Sequence, residues 1–136
     1  MTLWDEFVDA YLDNNIEHRW FLDLEQGIVV IDWDEATTDW DDPRYVSIPQ
    51  CTSSEAYSWR ERFAAQDSSG RLEDALTRNR PFRHFKDALT DLQLWDAWNA
   101  YERQCAEREL HYWVEDLPIP YEVLNERYQD YWRDER

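Results

Sequence analysis

RNRPFRHFK, residues 78–86, packs four of the chain's 14 basic side chains, Arg78, Arg80, Arg83 and Lys86, into nine positions around His84. Guanidinium groups bind phosphate or carboxylate through paired N–H donors, and an ammonium binds them as a point charge. Pro81 suits the first turn of a helix, whose N-terminus offers N–H groups to the same anions. Cations at that end oppose the helix dipole, so helix stability does not account for all of them. Two uses remain: an anion site for phosphate or a partner's carboxylates, or ion pairing with the chain's own acidic loop. With 31 Asp and Glu against 14 Lys and Arg, a formal charge of -17, internal pairing is the favoured expectation. Exposed pairs contribute about 0–1 kcal/mol each, enough to organise a surface but not to hold a fold. His84 is expected to be packed or solvated rather than catalytic.

The opposite charge collects in Asp32, Asp34, Glu35, Asp39, Asp41 and Asp42, with Trp33 and Trp40 among them. An EF-hand starting at Asp32 would need Gly where Thr37 stands and Glu where Pro43 stands, so calcium chemistry of that kind is excluded. The functional expectation is a partner-facing patch, with carboxylates meeting Arg or Lys while the Trp rings anchor in a groove. A solvated loop is the competing expectation, of equal weight. Other chemistry has little support. His18, His84 and His111 are far apart, without metal-ligand spacing. Cys105 falls on an apolar stripe and suits a small buried hydrophobe better than a thiolate. Two glycines cannot build a Gly-rich phosphate loop. Carboxylates are too abundant for any one acid–base pair to stand out. No metal, cofactor or enzymatic reaction is expected.

The elements that must carry these groups follow from periodicity. Leu3, Trp4, Phe7, Val8, Tyr11 and Leu12 recur at helical spacing behind a Thr2–Asp5 capping box. RWFLDLE and GIVVIDW predict an antiparallel hairpin, with Gly27 supplying the positive φ of its turn. PRYVSIP predicts a short third strand or extended segment. Beyond it the pattern turns helical. Thr52 and Glu55 form a second capping box before a stripe of Ala56, Trp59, Phe63 and Ala64. Leu72, Ala75 and Leu76 mark a short helix after the SSG turn; Phe82, Phe85, Leu89 and Leu92 mark the next. A longer helix carries Leu94, Trp98, Tyr101, Cys105, Leu110, Trp113 and Val114 until LPIP breaks it, and a last one carries Leu124, Tyr128 and Tyr131. The expected fold is α+β, mostly α, with a small antiparallel hairpin or sheet packed against several helices.

FLDLEQGIVVID, RYVSIP, EAYSWRERFA and LEDALTRNRPFRHFKDAL, followed by WNAY and WVE, form an ordered series of motifs. In this series the chain resembles bacterial uncharacterised protein family zero-one-five-eight, small acidic proteins with an FLD-x-x-x-G-x-V hairpin and an FRRFKD-like helix. The resemblance covers about residues 20–119 and implies an α+β domain but no activity. His84 departs from the pattern, standing where the family often has Arg. The helices at about 2–13 and 121–135 flank the shared region.

Length and composition bound what is left. A chain of 136 residues is expected to form a single domain over 1–136, with nine Trp, eight Tyr and five Phe dominating its core. Two cysteines without CxxC spacing, and an acidic start lacking a basic n-region, lead us to expect reduced thiols and a cytoplasmic location. No apolar run approaches the roughly 20 residues that span a bilayer. One Lys against 13 Arg, with 17 Asp, also fits adaptation of the host to salt or to high GC content. A charge of -17 disfavours direct nucleic-acid binding and membrane association, and favours a partner protein with a basic surface. The expected function is a non-enzymatic interaction or regulatory role using the charged and aromatic surface. The alternative is an acidic DNA mimic that inhibits a nucleic-acid-binding enzyme, which would need carboxylates spread along one face at duplex spacing.

Overall fold

In the computed structural model, which describes residues 1–15, 17–32 and 38–134, the expected α+β architecture is present. Among the described residues, six helices accompany a three-stranded antiparallel sheet whose central strand is the first in the chain. Packing divides the chain into two compact units, Met1–Cys51 with Ala106–Arg136, and Thr52–Cys105.

The first unit begins with α1 (Leu3–Leu12). Its capping box forms as the sequence predicts: Asp5 N donates to Thr2 Oγ1 at 3.1 Å, and Thr2 N donates to Asp5 Oδ2 at 2.9 Å. Two backbone donors at the helix start are thereby satisfied. The buried face is Leu3, Phe7, Val8, Ala10 and Tyr11, and the helix stops where Asp13 turns extended. Asp13 then ties the exit loop together, accepting from Asn15 N at 3.0 Å and from Trp20 Nε1 at 2.7 Å. Burial alone would raise this carboxyl's pKa. Those donors, with His18, outweigh it and hold the group below its usual range.

Strands β1 (Arg19–Asp23) and β2 (Ile28–Asp32) pair with Phe21 opposite Val30, and β3 (Tyr45–Ser47) adds to the other edge of β1 with Phe21 opposite Ser47. The hairpin turn is organised by Asp23. Its carbonyl accepts from Gly27 N at 2.8 Å, and its Oδ1 accepts from Glu25 N and Gln26 N. Gly27 takes φ +68°. Over this turn passes α6 (Tyr121–Asp134). A Cβ on Gly27 would lie 2.4 Å from Leu124 O and 2.8 Å from Arg127 Cβ. Arg127 Nη1 donates to Leu24 O at 2.7 Å, fastening helix to turn. The terminal helices that flank the motif-bearing stretch thus supply core: Leu3, Phe7 and Leu124 are wholly buried. Trp4, Phe7, Trp113 and Tyr121 meet in T-shaped contacts, the geometry that ring quadrupoles prefer.

The second unit contains α2 (Ser53–Ala64), α3 (Arg71–Leu76), α4 (Pro81–Leu92) and the first half of α5 (Trp95–Glu115). Thr52 Oγ1 caps α2 by accepting from Glu55 N at 3.1 Å. Asp67 shapes the next turn, accepting from Ser69 Oγ at 2.6 Å, and that hydroxyl leads the contacts holding its carboxyl below the usual range. The core is Leu72, Ala75, Leu76, Phe85, Leu89 and Trp98, with Phe63 edge-on to Phe85 and Trp98. These are the stripes the sequence marks, at helical spacing.

Candidate binding surface

The basic island lies at and just before the N-terminus of α4. Arg80 is the N-cap residue in the left-handed region, φ 55° and ψ 60°, and Pro81 occupies the first helical position. Among the described residues no side chain caps this helix; its first bond is His84 N to Arg80 O at 3.2 Å. Arg78 pairs one turn back with Asp74, at 2.9 Å. Arg80, Arg83 and Lys86 are exposed and make no ion pair among the described residues. His84 is half-buried in a small groove of about 140 Å³ that it shares with Asp87 and with two ion pairs, Arg78 with Asp74 and Arg71 with Asp91.

Beside the unpaired cations lies a shelf. Ser53, Ser54, Tyr57, Arg80, Pro81 and Phe82 line a shallow cavity of about 560 Å³. The Tyr57 and Phe82 rings are near-parallel, with centroids 6.2 Å apart, and Tyr57 is held by its hydroxyl donating to Leu76 O at 3.3 Å. The cavity therefore joins the starts of α2 and α4 through apolar rings, with a guanidinium at its edge.

Beneath the shelf sits a residue that hydropathy patterns pass over. Arg60 is only 9% exposed, with its guanidinium carbon 4.1 Å from the Phe82 ring centroid, 5.2 Å from Trp98 and 5.7 Å from Phe85. Its Nη1 donates to Ala56 O at 3.0 Å. A planar cation stacks on ring faces and buries its aliphatic stem, so an aromatic cage can hold it. Glu102 is half-buried nearby. Burial pushes its carboxyl above the usual range, against the opposing pull of Arg60 and Lys86. A signal for Arg60 did exist: it is four residues after Ala56 and three before Phe63, on the apolar face of α2.

Of the acidic residues, Asp32 ends β2 and lies 3.7 Å from Arg19. Trp33, Asp34 and Glu35 lie outside the described residues. Asp39 and Asp42 act on their own backbone, Asp39 Oδ1 accepting from Asp41 N at 3.1 Å and Asp42 Oδ1 from Arg44 N at 2.9 Å. Asp39, Asp41 and Asp42 are exposed, whereas Trp40 is half-buried, stacked on Phe21 at 4.4 Å and edge-on to Tyr45 at 5.0 Å. A second cation–carboxylate unit has no signature in the sequence. Asp23, 2% exposed, receives Arg44 Nε at 2.8 Å and Nη2 at 2.7 Å, a two-pronged contact. Hydrogen bonding to Asp23 is the main reason the Arg44 guanidinium is held in its charged form even more firmly than usual.

A larger hollow, about 670 Å³, is lined by Met1, Glu6, Tyr128, Gln129, Trp132 and Arg133. Burial raises both Glu6 and the Tyr128 hydroxyl, the latter well above its ordinary range with Glu6 adding to the effect. Neither His nor Cys lines it. No group of three or more potential metal ligands occurs among the described residues, and Cys105 is buried. Among the described residues, no helix is long and apolar enough to cross a membrane. Set against known proteins, the chain matches no family model, no curated sequence and no solved structure.

Proposed function

We propose that the protein is a non-enzymatic, cytoplasmic interaction protein that recognises another protein through a charged and aromatic surface. One observation carries this reading. In a chain with 31 acidic and 14 basic residues, the exposed Arg80 and Arg83 make no ion pair among the described residues, and Arg80 lines an apolar shelf. Carboxylates are abundant enough to neutralise every cation, yet Arg80 and Arg83 are left to solvent, Arg80 at the edge of the Tyr57 and Phe82 rings. Cations next to aromatic area are the usual anchors of protein interfaces. The chain as a whole, with a formal charge of -17, favours a partner that is basic around the contact and speeds its encounter. The resemblance to family zero-one-five-eight remains our own reading and brings no activity with it.

Affinity capture from the native cell tests the proposal, with the double variant Arg80→Glu, Arg83→Glu as control. Loss of one specific protein from the control supports it. An unchanged catch overturns it, and an unchanged catch with a lowered thermal midpoint would show that the island serves the fold.

A further inference from the structure

We infer that the shelf at the head of α4 receives an acidic segment of a partner protein, which seats one aromatic or branched apolar side chain on Tyr57, Pro81 and Phe82 and sets flanking carboxylates on Arg80 and Arg83. The inference rests on the interaction reading above and names the chemistry of the contact.

Three features select this occupant. The hollow of about 560 Å³ is shallow and has room for a large side chain laid across Tyr57, Pro81 and Phe82, so an inorganic anion would leave most of it unfilled. Arg80, itself part of the lining, puts a guanidinium at the edge of the shelf, and Arg83, exposed three residues on, adds a second cation next in sequence to Phe82. The Arg60 guanidinium, 4.1 Å from the Phe82 centroid, packs on that ring and holds it in place for a docking side chain. Apolar area edged by cations complements a segment in which an apolar residue is flanked by Asp or Glu. A nucleic acid meets the same cations less well. Its phosphates continue past the island into the field of a chain carrying -17, whereas a short segment presents its few carboxylates locally.

Arg80 also holds a backbone conformation, φ 55°, that glycine adopts more easily. Arg80→Gly therefore separates docking from folding, because it removes the guanidinium while relaxing the chain.

The test is an amide chemical-shift titration of the full chain with a synthetic 12-residue peptide containing one Trp flanked by Asp on both sides. Companion probes carry Trp→Ala or Asp→Asn, and a 12-nucleotide single-stranded DNA is the fourth. Shifts should centre on Ser54, Tyr57, Phe82 and Arg83. Affinity should fall about tenfold or more with Arg80→Glu and with either altered peptide, and several-fold between about 50 and 500 mM salt. Arg80→Gly should weaken binding comparably while its thermal midpoint holds or rises. Equal binding of the Asp→Asn peptide, tighter binding of the oligonucleotide, or no shifts at the shelf would each overturn the inference. If no peptide binds but the Arg80→Glu, Arg83→Glu variant loses its captured protein, only the acidic-segment inference falls. If the catch is unchanged as well, the interaction reading falls with it.

Discussion

Gly27 and Gly70 have nearly the same backbone, φ +68° and +73°, but different surroundings. At Gly70 a Cβ would meet nothing within 4 Å; at Gly27 it would meet Leu124 O at 2.4 Å. Gly70→Ala should therefore cost only the left-handed penalty, about 1 kcal/mol. Gly27→Ala adds a clash with helix backbone that cannot step aside, and should cost about 3 kcal/mol or more. Thermal unfolding of the two variants side by side checks this, and similar losses would mean that α6 yields at the turn. The need for glycine at residue 27 was legible from the hairpin pattern, but the helix pressed against it was not. Arg60 is the reverse case. Hydropathy patterns count every Arg as surface, so they do not reveal its place in the apolar stripe of α2, although its flat cation suits a cage of rings.

At the scale of elements, strands and helices were legible wherever an apolar period coincided with a cap or a breaker. Thr2, Thr52, Gly70 and Pro81 each mark a helix start, and Gly27 marks the hairpin. What ties β1 to the loop before β3 was not legible, because Asp23 and Arg44 are 21 residues apart among many other acids and bases. The Asp23 carboxylate serves two elements at once, accepting turn amides and the Arg44 guanidinium. Asp23→Ala removes all of these contacts at a buried position and should cost about 3 kcal/mol. Amide exchange read along the sheet should show β1 and β3 losing protection together. Faster exchange confined to residues 24–26 would mean that the carboxylate supports only the turn.

Over the whole molecule, charge dominates. A formal -17 repels itself over distances set by the Debye length, roughly 30 Å in 10 mM salt and less than 10 Å at a few hundred millimolar. Added sodium chloride should raise the thermal midpoint by a few degrees, whereas a lowered midpoint would mean that attractive pairs outweigh the repulsion. The pH response has two opposing parts. Burial raises the Glu6 and Glu102 carboxyls, so the folded chain keeps protons that the unfolded chain has released above about pH 4.5. Their contribution is complete below that value and is lost as pH rises through the folded pKa. Glu102→Gln should therefore melt higher than the parent at about pH 7, with the difference closing by about pH 4. A gain seen only in acid would reverse the sign. Asp13 and Asp67 work the other way: lowered in the folded chain, they lend stability near neutrality that disappears in acid.

By itself the sequence determined the local features: helix starts and stops, the hairpin, the buried stripes, and the separation of a basic island from an acidic run. Each depends on neighbours within a few positions, where the chain's own geometry dictates what faces what. Only the tertiary structure decided which charges are satisfied and which are left to solvent. Arg44 and Arg60 are held by distant carboxylate and rings, Arg78 by Asp74, while Arg80 at the shelf and Arg83 after it are exposed. Charge pairing depends on distances between elements, and with 31 carboxylates to choose from the linear order of residues cannot rank the partners.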